Sequence, residues 1–307
     1  MKIVILHHDI EPPELKFKDL FLNEGATVDL RDIREVSIEE LLDYDVVFNR
    51  VYSSVASRDF DALVKTLTLL KGLQERGVKC VNSYESMMLD YSKYELFKAL
   101  SKIGIKTPPT ILINSTRSIK KIALKAIEEF GFPLVVKRNC GGKSYEVTRA
   151  HTEEELITTL KEMFKKGKLE RYRGGFLLQK FIKPLRDHDC RVGVVNGEFI
   201  FSYARTLKPR NSEDNWMAST SNGSVEFLYS PTEEEKNIAI TANNLLGVSF
   251  SESDVSLTSE GPYIIEINLS PSYFLDSLDD VERMRIIVKE IVGAPAPINK
   301  EAIPLQK

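Results

Sequence analysis

The punctuation of residues 1–90 restricts the fold more than any other feature: short apolar runs alternate with helix-period segments, and the helices stop at glycine. Residues 2–6 are a β-branched apolar run, residues 14–24 repeat apolar positions at helical spacing up to Gly25, and residues 27–30 resume strand character. A second round follows, with a strand at 45–48, a helix over 58–76 ended by Gly77, and a strand at 78–81. Such alternation demands a parallel sheet with helices on its faces, because parallel neighbours need a crossover that packs back on the sheet.

Beyond residue 90 the pattern changes. Helical spacing over 91–103 stops at Gly104, and Pro108-Pro109 enforces an extended connection. Strands at 133–138 and 145–149 flank a small-residue loop, Asn139 to Ser144, and residues 152–166 form an amphipathic helix, which together read as α+β. After a polar stretch over 165–175 come strands at 176–181, 189–195, 198–204, 224–229, 248–255 and 263–267, with a helix over 232–246. The chain thus divides into units at 1–90, 91–175 and 176–307, and its 42% apolar residues suffice for several cores.

Composition removes some function classes. Lys+Arg number 42 against 45 Asp+Glu, so the net charge of -3 gives no surface adapted to nucleic acid or anionic membrane. The first apolar run is interrupted by acids and prolines, unlike a secretory signal, and no apolar stretch approaches the roughly 18 residues of a spanning helix; the expected location is cytoplasmic. Cys80, Cys140 and Cys190 are odd in number and far apart, which supports neither a disulfide framework nor a thiolate zinc site.

The chemistry concentrates in residues 254–268, two apolar runs joined by a turn at Glu260-Gly261. With Glu260 as the pivot of a hairpin, Asp254 lies across from Glu266, and Asn268 follows on the same face. Facing carboxylates repel unless a cation lies between them, and all-oxygen ligands suit Mg²⁺ or Mn²⁺ rather than zinc. The plainer alternative is a solvated acidic face, against which the neighbouring Ile264, Ile265 and Ile267 argue.

Lys137 closes an apolar strand ahead of a loop containing Gly141, Gly142, Lys143 and Ser144, whose backbone N–H groups could cradle phosphate. A hairpin turn with a snorkelling lysine is the alternative. The Walker pattern fails, since it needs glycine where Lys137 stands. Arg205 near a strand end is either a surface charge or a phosphate clamp. The run from Asp187 to Arg191 has single His and Cys residues among acids and is assigned no metal. Asn49 and Arg50 follow an early strand at its carboxyl end, where open α/β sheets bind ligands, and arginine there suits a substrate carboxylate; an exposed loop is the alternative. His7 and His8 are placed in the same way after the first strand.

In order, these elements resemble the RimK-type branch of the ATP-grasp ligases: Asn49-Arg50; Asn82 ahead of Asp90-Tyr91-Ser92-Lys93; residues 104–110 and 132–137; Gln179 to Ile182; Asp189 to Arg191; Arg205; and Glu266-Ile267-Asn268 with Pro271 beyond, Asp254 being upstream. The resemblance covers nearly the whole chain. It implies a Rossmann-like pre-ATP-grasp domain followed by two α+β subdomains that grip ATP. By it, Lys93 and Lys137 contact phosphates, Lys180, Phe181 and Ile182 form the adenine hinge after Gln179, and Asp189 lies in the nucleotide site. Arg205 stabilises the transferring phosphoryl group, Asp254, Glu266 and Asn268 hold Mg²⁺, and residues 139–144 form the lid. Arg191, with Asn49 and Arg50, falls to the substrate. The implied reaction joins a carboxylate of a small molecule or peptide to an amine through an acyl phosphate, with glutamate as a family-level expectation for the amine. Homodimers and homotetramers are common in the family.

Three departures mark this chain: Lys180 stands where an acid is usual, Met217 and Ser219 stand where Arg and Asn are more frequent, and Lys143-Ser144 replaces small or apolar loop residues. Two other readings keep the fold: a kinase that leaves the phosphoryl group on its product, and an ATP-binding regulatory protein without catalysis.

Overall fold

The computed structural model describes residues 1–142, 144, 146–166, 174–208, 216–219, 223–271, 273, 275 and 278–293. Its first sheet takes β1 (Lys2–His7), α1 (Pro12–Asn23), β2 (Thr27–Asp32), β3 (Val46–Asn49), α2 (Phe60–Gln74) and β4 (Lys79–Val81), with all strands parallel in the order β2-β1-β3-β4. Ile3 to Leu6 are buried on both faces, as a helix-covered parallel sheet requires. Helix α2 starts later than its apolar spacing suggests because Asp59 caps it, accepting from the Ala62 N–H at 3.0 Å.

The helix expected over 91–103 is α4 (Lys93–Lys102), and an unexpected helix, α3 (Tyr84–Tyr91), precedes it; the two are parted at Ser92, whose extended backbone and hydroxyl cap α4. The second sheet holds β5 (Thr110–Ile113), β6 (Leu134–Arg138), β7 (Thr148–Ala150) and β8 (Phe176–Lys180) in the antiparallel order β5-β8-β6-β7. Helices α5 (Ile119–Phe130) and α6 (Glu153–Lys166) share its core. Two boundaries move. Residues 176–180 belong here rather than to the third unit, since β8 pairs with both β5 and β6. Helix α4 buries Leu96 and Leu100 with the first unit's core rather than with this sheet.

The third sheet contains β9 (His188–Val195), β10 (Glu198–Lys208), β11 (Met217–Ala218), β12 (Glu226–Leu228), β13 (Phe250–Thr258) and β14 (Gly261–Asn268), in the order β11-β10-β9-β13-β14 with β12 also on β10. Helix α7 (Glu233–Leu246) runs from a Thr232-Glu235 capping box to Gly247 in the left-handed conformation. Helix α8 (Leu278–Gly293) leaves the sheet to pack Met284 and Ile287 against Phe17 and Phe21 of the first unit.

The β13–β14 hairpin departs from the simple pivot in an instructive way. Thr258 pairs with Gly261, so the turn is Ser259-Glu260, and on that register Asp254 would face Ile265. A bulge between Asp254 and Val255 restores the Asp254–Glu266 pair. It also breaks alternation, so Ile265 and Glu266 both face one cavity while Ile264 and Ile267 are buried in the core.

Candidate active site

One cavity opens between the second and third sheets. Its walls take Lys137 from β6, Gln179 and Lys180 from β8, Asp189 from β9, Arg205 from β10, Asp254 from β13 and Glu266 from β14. Lys93, Gly141, Gly142, Ser144, Phe181 and Ile182 line the same space. Period-2 alternation explains the convergence: Asp189, Arg205 and Asp254 are cross-strand neighbours on one face, paired 189 with 205 and flanking Arg191 with 254.

On the third sheet the arginines and acids are paired. Arg205 holds Asp189 through Nε at 3.1 Å and Nη2 at 2.5 Å, and the same Nη2 lies 2.8 Å from Asp254 Oδ2. Arg191 grips Asp254 by two bonds, Nε to Oδ1 at 2.7 Å and Nη2 to Oδ2 at 3.1 Å. Burial pushes the Asp254 carboxyl up, yet the two guanidinium groups outweigh it and hold it at about 2. Asp189, with one arginine in contact and the Asp254 charge nearby, is raised by burial above the ordinary range.

The lysines differ. Lys93 Nζ lies 2.6 Å from Glu266 Oε1 and donates to Gly141 O at 2.8 Å; burial opposes its charge, but Glu266 keeps its pKa above the ordinary value. Among the described residues Lys137 has no carboxylate in contact, and it lies over the Phe97 ring at 4.8 Å, so burial brings it down to about 8. Gly141, at φ 134, adopts a backbone conformation open to glycine, which lets the loop carbonyl approach Lys93.

Not every sequence-predicted residue reaches this cavity. Arg50 is corrected from an open substrate contact to a sealed ion pair: it is 1% exposed, bonds Glu14 at 3.1 Å and Pro271 O at 3.0 Å, and lies over three aromatic rings. Asn49 is equally buried, its Oδ1 accepting from Val51 N–H at 3.2 Å. Arg191 stands behind Asp254, bridging toward Glu252, and Asn268 pairs across from Glu252. His8 is held between Asp9 and Asp59, each at 3.0 Å. Gln179 spends its amide on Thr110 at 2.9 Å, and Lys180 is exposed at the rim. Met217 lines the cavity, whereas the Ser219 N–H donates to Ser224 Oγ; Lys143 lies outside the described residues.

The sequence reading missed the apolar walls, Pro108, Val135, Leu207, Trp216 and Ile265, because one apolar residue per strand carries no mark of facing a cavity rather than a core. It also missed Glu252, a buried carboxyl raised by desolvation to about 7 beside Arg191. Its place two residues before Asp254 on the same strand was the available signal.

Known proteins share this fold. The chain is similar to a RimK-domain ATP-grasp protein from Sphaerobacter thermophilus DSM 20745, with a TM-score of 0.68 at 16% identity over 94% of this chain and 98% of that one. It is also similar to D-alanine–D-alanine ligase from Bacillus anthracis, with a TM-score of 0.71 at 16% identity over 95% and 96%. In sequence it is 28% identical to human (Homo sapiens) N-acetylaspartylglutamate synthase A over 72% of this chain and 52% of that protein, so it spans about half that relative's length. A probable alpha-L-glutamate ligase from Aliivibrio fischeri (strain MJ11) is 25% identical over 76% of this chain and 71% of its own. Residues 91–292, well over half of the chain, match the RimK-like ATP-grasp domain, and the chain belongs to that family.

Proposed function

We propose that this protein is an ATP-dependent carboxylate-amine ligase that forms an amide bond through an acyl phosphate, with glutamate or another amino acid as the amine. The observation that carries the reading is the convergence of two carboxylates, Asp254 and Glu266, with Arg205, Lys93 and Lys137 on the walls of one cavity. Family membership supplies ATP and a divalent metal in general terms. The names of the relatives, N-acetylaspartylglutamate synthase, alpha-L-glutamate ligase and beta-citrylglutamate synthase, favour glutamate.

The donor set fits Mg²⁺. Asp254 and Glu266 line the cavity with carboxylate oxygens, and Asn268, two residues beyond Glu266 on the same strand, would add its amide oxygen. Magnesium keeps few protein ligands and completes its shell with water and substrate phosphate, which suits two carboxylates and an amide. Glu266 is 30% exposed, lines the cavity and meets Lys93 through Oε1. When bound there, Mg²⁺ would offset phosphate charge and orient the terminal phosphate.

The chain's own groups do the rest. Lys93 and Lys137 bring positive charge to phosphate oxygens, and Lys93 is placed to be shared between Glu266 and a phosphate. Arg205, fixed by Asp189 and Asp254, meets the charge that spreads over the transferring phosphoryl group as a substrate carboxylate attacks the γ-phosphorus and ADP leaves. The loop at 139–144 covers the resulting mixed anhydride from water until the amine attacks its carbonyl and releases phosphate. The apolar slot formed by Val135, Leu207 and Ile265 suits a purine face, with the exposed Lys180 leaving base recognition to the backbone of the hinge.

The test is release of ADP and orthophosphate from Mg-ATP across a matrix of amino acids and acceptor carboxylates. Paired release that needs both substrates is the expected result. ADP formed with phosphate retained on a product would replace the ligase reading with a kinase.

A further inference from the structure

The residues that end β14 are held from outside their own sheet. Among the described residues β14 is an edge strand paired with β13, and Asn268 is its last residue. An edge-strand end has ladder bonds on one side alone and frays readily. Here the next residue is clamped: Leu269 N–H donates to Asp90 Oδ1 at 3.1 Å, and Leu269 C=O accepts from Asn82 Nδ2 at 2.9 Å. Both peptide groups of Leu269 are therefore fixed, and the first of them is the one that joins it to Asn268.

The two clamping residues bracket α3, Asn82 two positions ahead of Tyr84 and Asp90 in the last turn. Asn82 is 1% exposed, and neither residue lines the nucleotide cavity. The same joint reaches β14 again through Lys93, the first residue of α4, which pairs with Glu266. A hydrogen bond from a backbone N–H to a carboxylate is among the stronger ones, and it constrains the peptide plane as well as its position.

We propose that Asn82 and Asp90 are positioning residues: by holding Leu269 they fix the end of β14 and set the directions of Glu266 and Asn268. The proposal rests on reading those two side chains as metal ligands. Partners one step removed from a metal matter because they hold its ligands in geometry, and their removal weakens metal affinity by about 10–100-fold in other sites.

The test is a Mn²⁺ titration of the full chain with AMP-PNP, reading free Mn²⁺ by electron paramagnetic resonance. The variants are Asp90→Ala, Asp90→Asn, Asn82→Ala and Glu266→Gln, each checked for fold by circular dichroism well below its melting temperature. Asp90→Ala and Asn82→Ala are expected to weaken Mn²⁺ binding by about tenfold or more. Asp90→Asn, whose amide oxygen still accepts from Leu269, is expected to bind within about threefold of wild type, a rescue that loss of packing alone would not produce. Wild-type affinity in Asn82→Ala and Asp90→Ala beside a weakened Glu266→Gln would overturn the clamp alone. Wild-type affinity in Glu266→Gln would remove the metal assignment and the clamp's purpose together. Where Asp90→Ala fails to fold, Asn82→Ala and Asp90→Asn still decide the matter.

Discussion

Two of the regions that bury arginine beside carboxylate use the same interaction to opposite ends. In the first unit Arg50 and Glu14 face each other at 3.1 Å with neither side chain exposed, Tyr52 donates to the same carboxylate, and aromatic rings close the space. In the third sheet Arg205 binds Asp189 and Asp254 with comparable closeness, yet all three line an open cavity. Desolvation is already complete around Arg50, so an anionic ligand would have to displace Glu14 and reopen the core. Around Arg205 the pairs can exchange partners with a ligand that brings its own charge. An arginine beside an acid is thus structural or functional according to what lies on its free side.

The largest effect that would break this contrast belongs to the cavity. Glu266→Gln and Arg205→Met are each expected to lower kcat by on the order of 10²-fold or more with the fold retained, measured as coupled ADP release. Full activity in either would place the cavity charges in the structural class with Arg50. In the sealed pair the expected loss is stability: Glu14→Gln leaves Arg50 buried without its counter-charge and should cost about 3–5 kcal/mol in denaturant unfolding. Replacing both partners together, Glu14→Leu with Arg50→Met, should recover most of that loss, and a double variant no better than the single would contradict the reading.

A pH profile sharpens the comparison further. Lys137 is lowered by burial to about 8, so kcat/KM for ATP should fall as pH rises through that value and the ammonium loses its charge. Lys137→Arg should move that fall to higher pH, and a profile unchanged by the substitution would exclude Lys137 as its source. The stability effect has the opposite sense. The unfolded lysine keeps its proton to about pH 10.4, so between about 8 and that value this group makes the folded state more stable as pH rises. The smallest effect is expected at the exposed rim, where Lys180→Ala should change unfolding free energy by less than about 0.5 kcal/mol. A larger change would mean that Lys180 packs against the hinge.

Much of this was readable along the chain because it is local. The parallel first unit follows from apolar spacing and glycine stops, and the facing of Asp254 and Glu266 follows from hairpin periodicity. The reading reached that pair through a pivot one position off, since no sequence signal marks Ile265 as the bulged residue that corrects the register. Helix α3 went unread, although Ser83 caps its start and Ser92, just after its end, caps α4.

Sequence alone determined the fold class, the order of the units and the facing of Asp254 and Glu266 across a hairpin. Those properties arise from periodicity, turn chemistry and side-chain type, which act over a few residues. Tertiary structure decided which charges are sealed and which are open, that β8 pairs in the second sheet, and that Leu269 is clamped from a helix about 180 positions earlier in the chain. Burial and pairing across such distances depend on where whole units come together, and no local pattern carries that information.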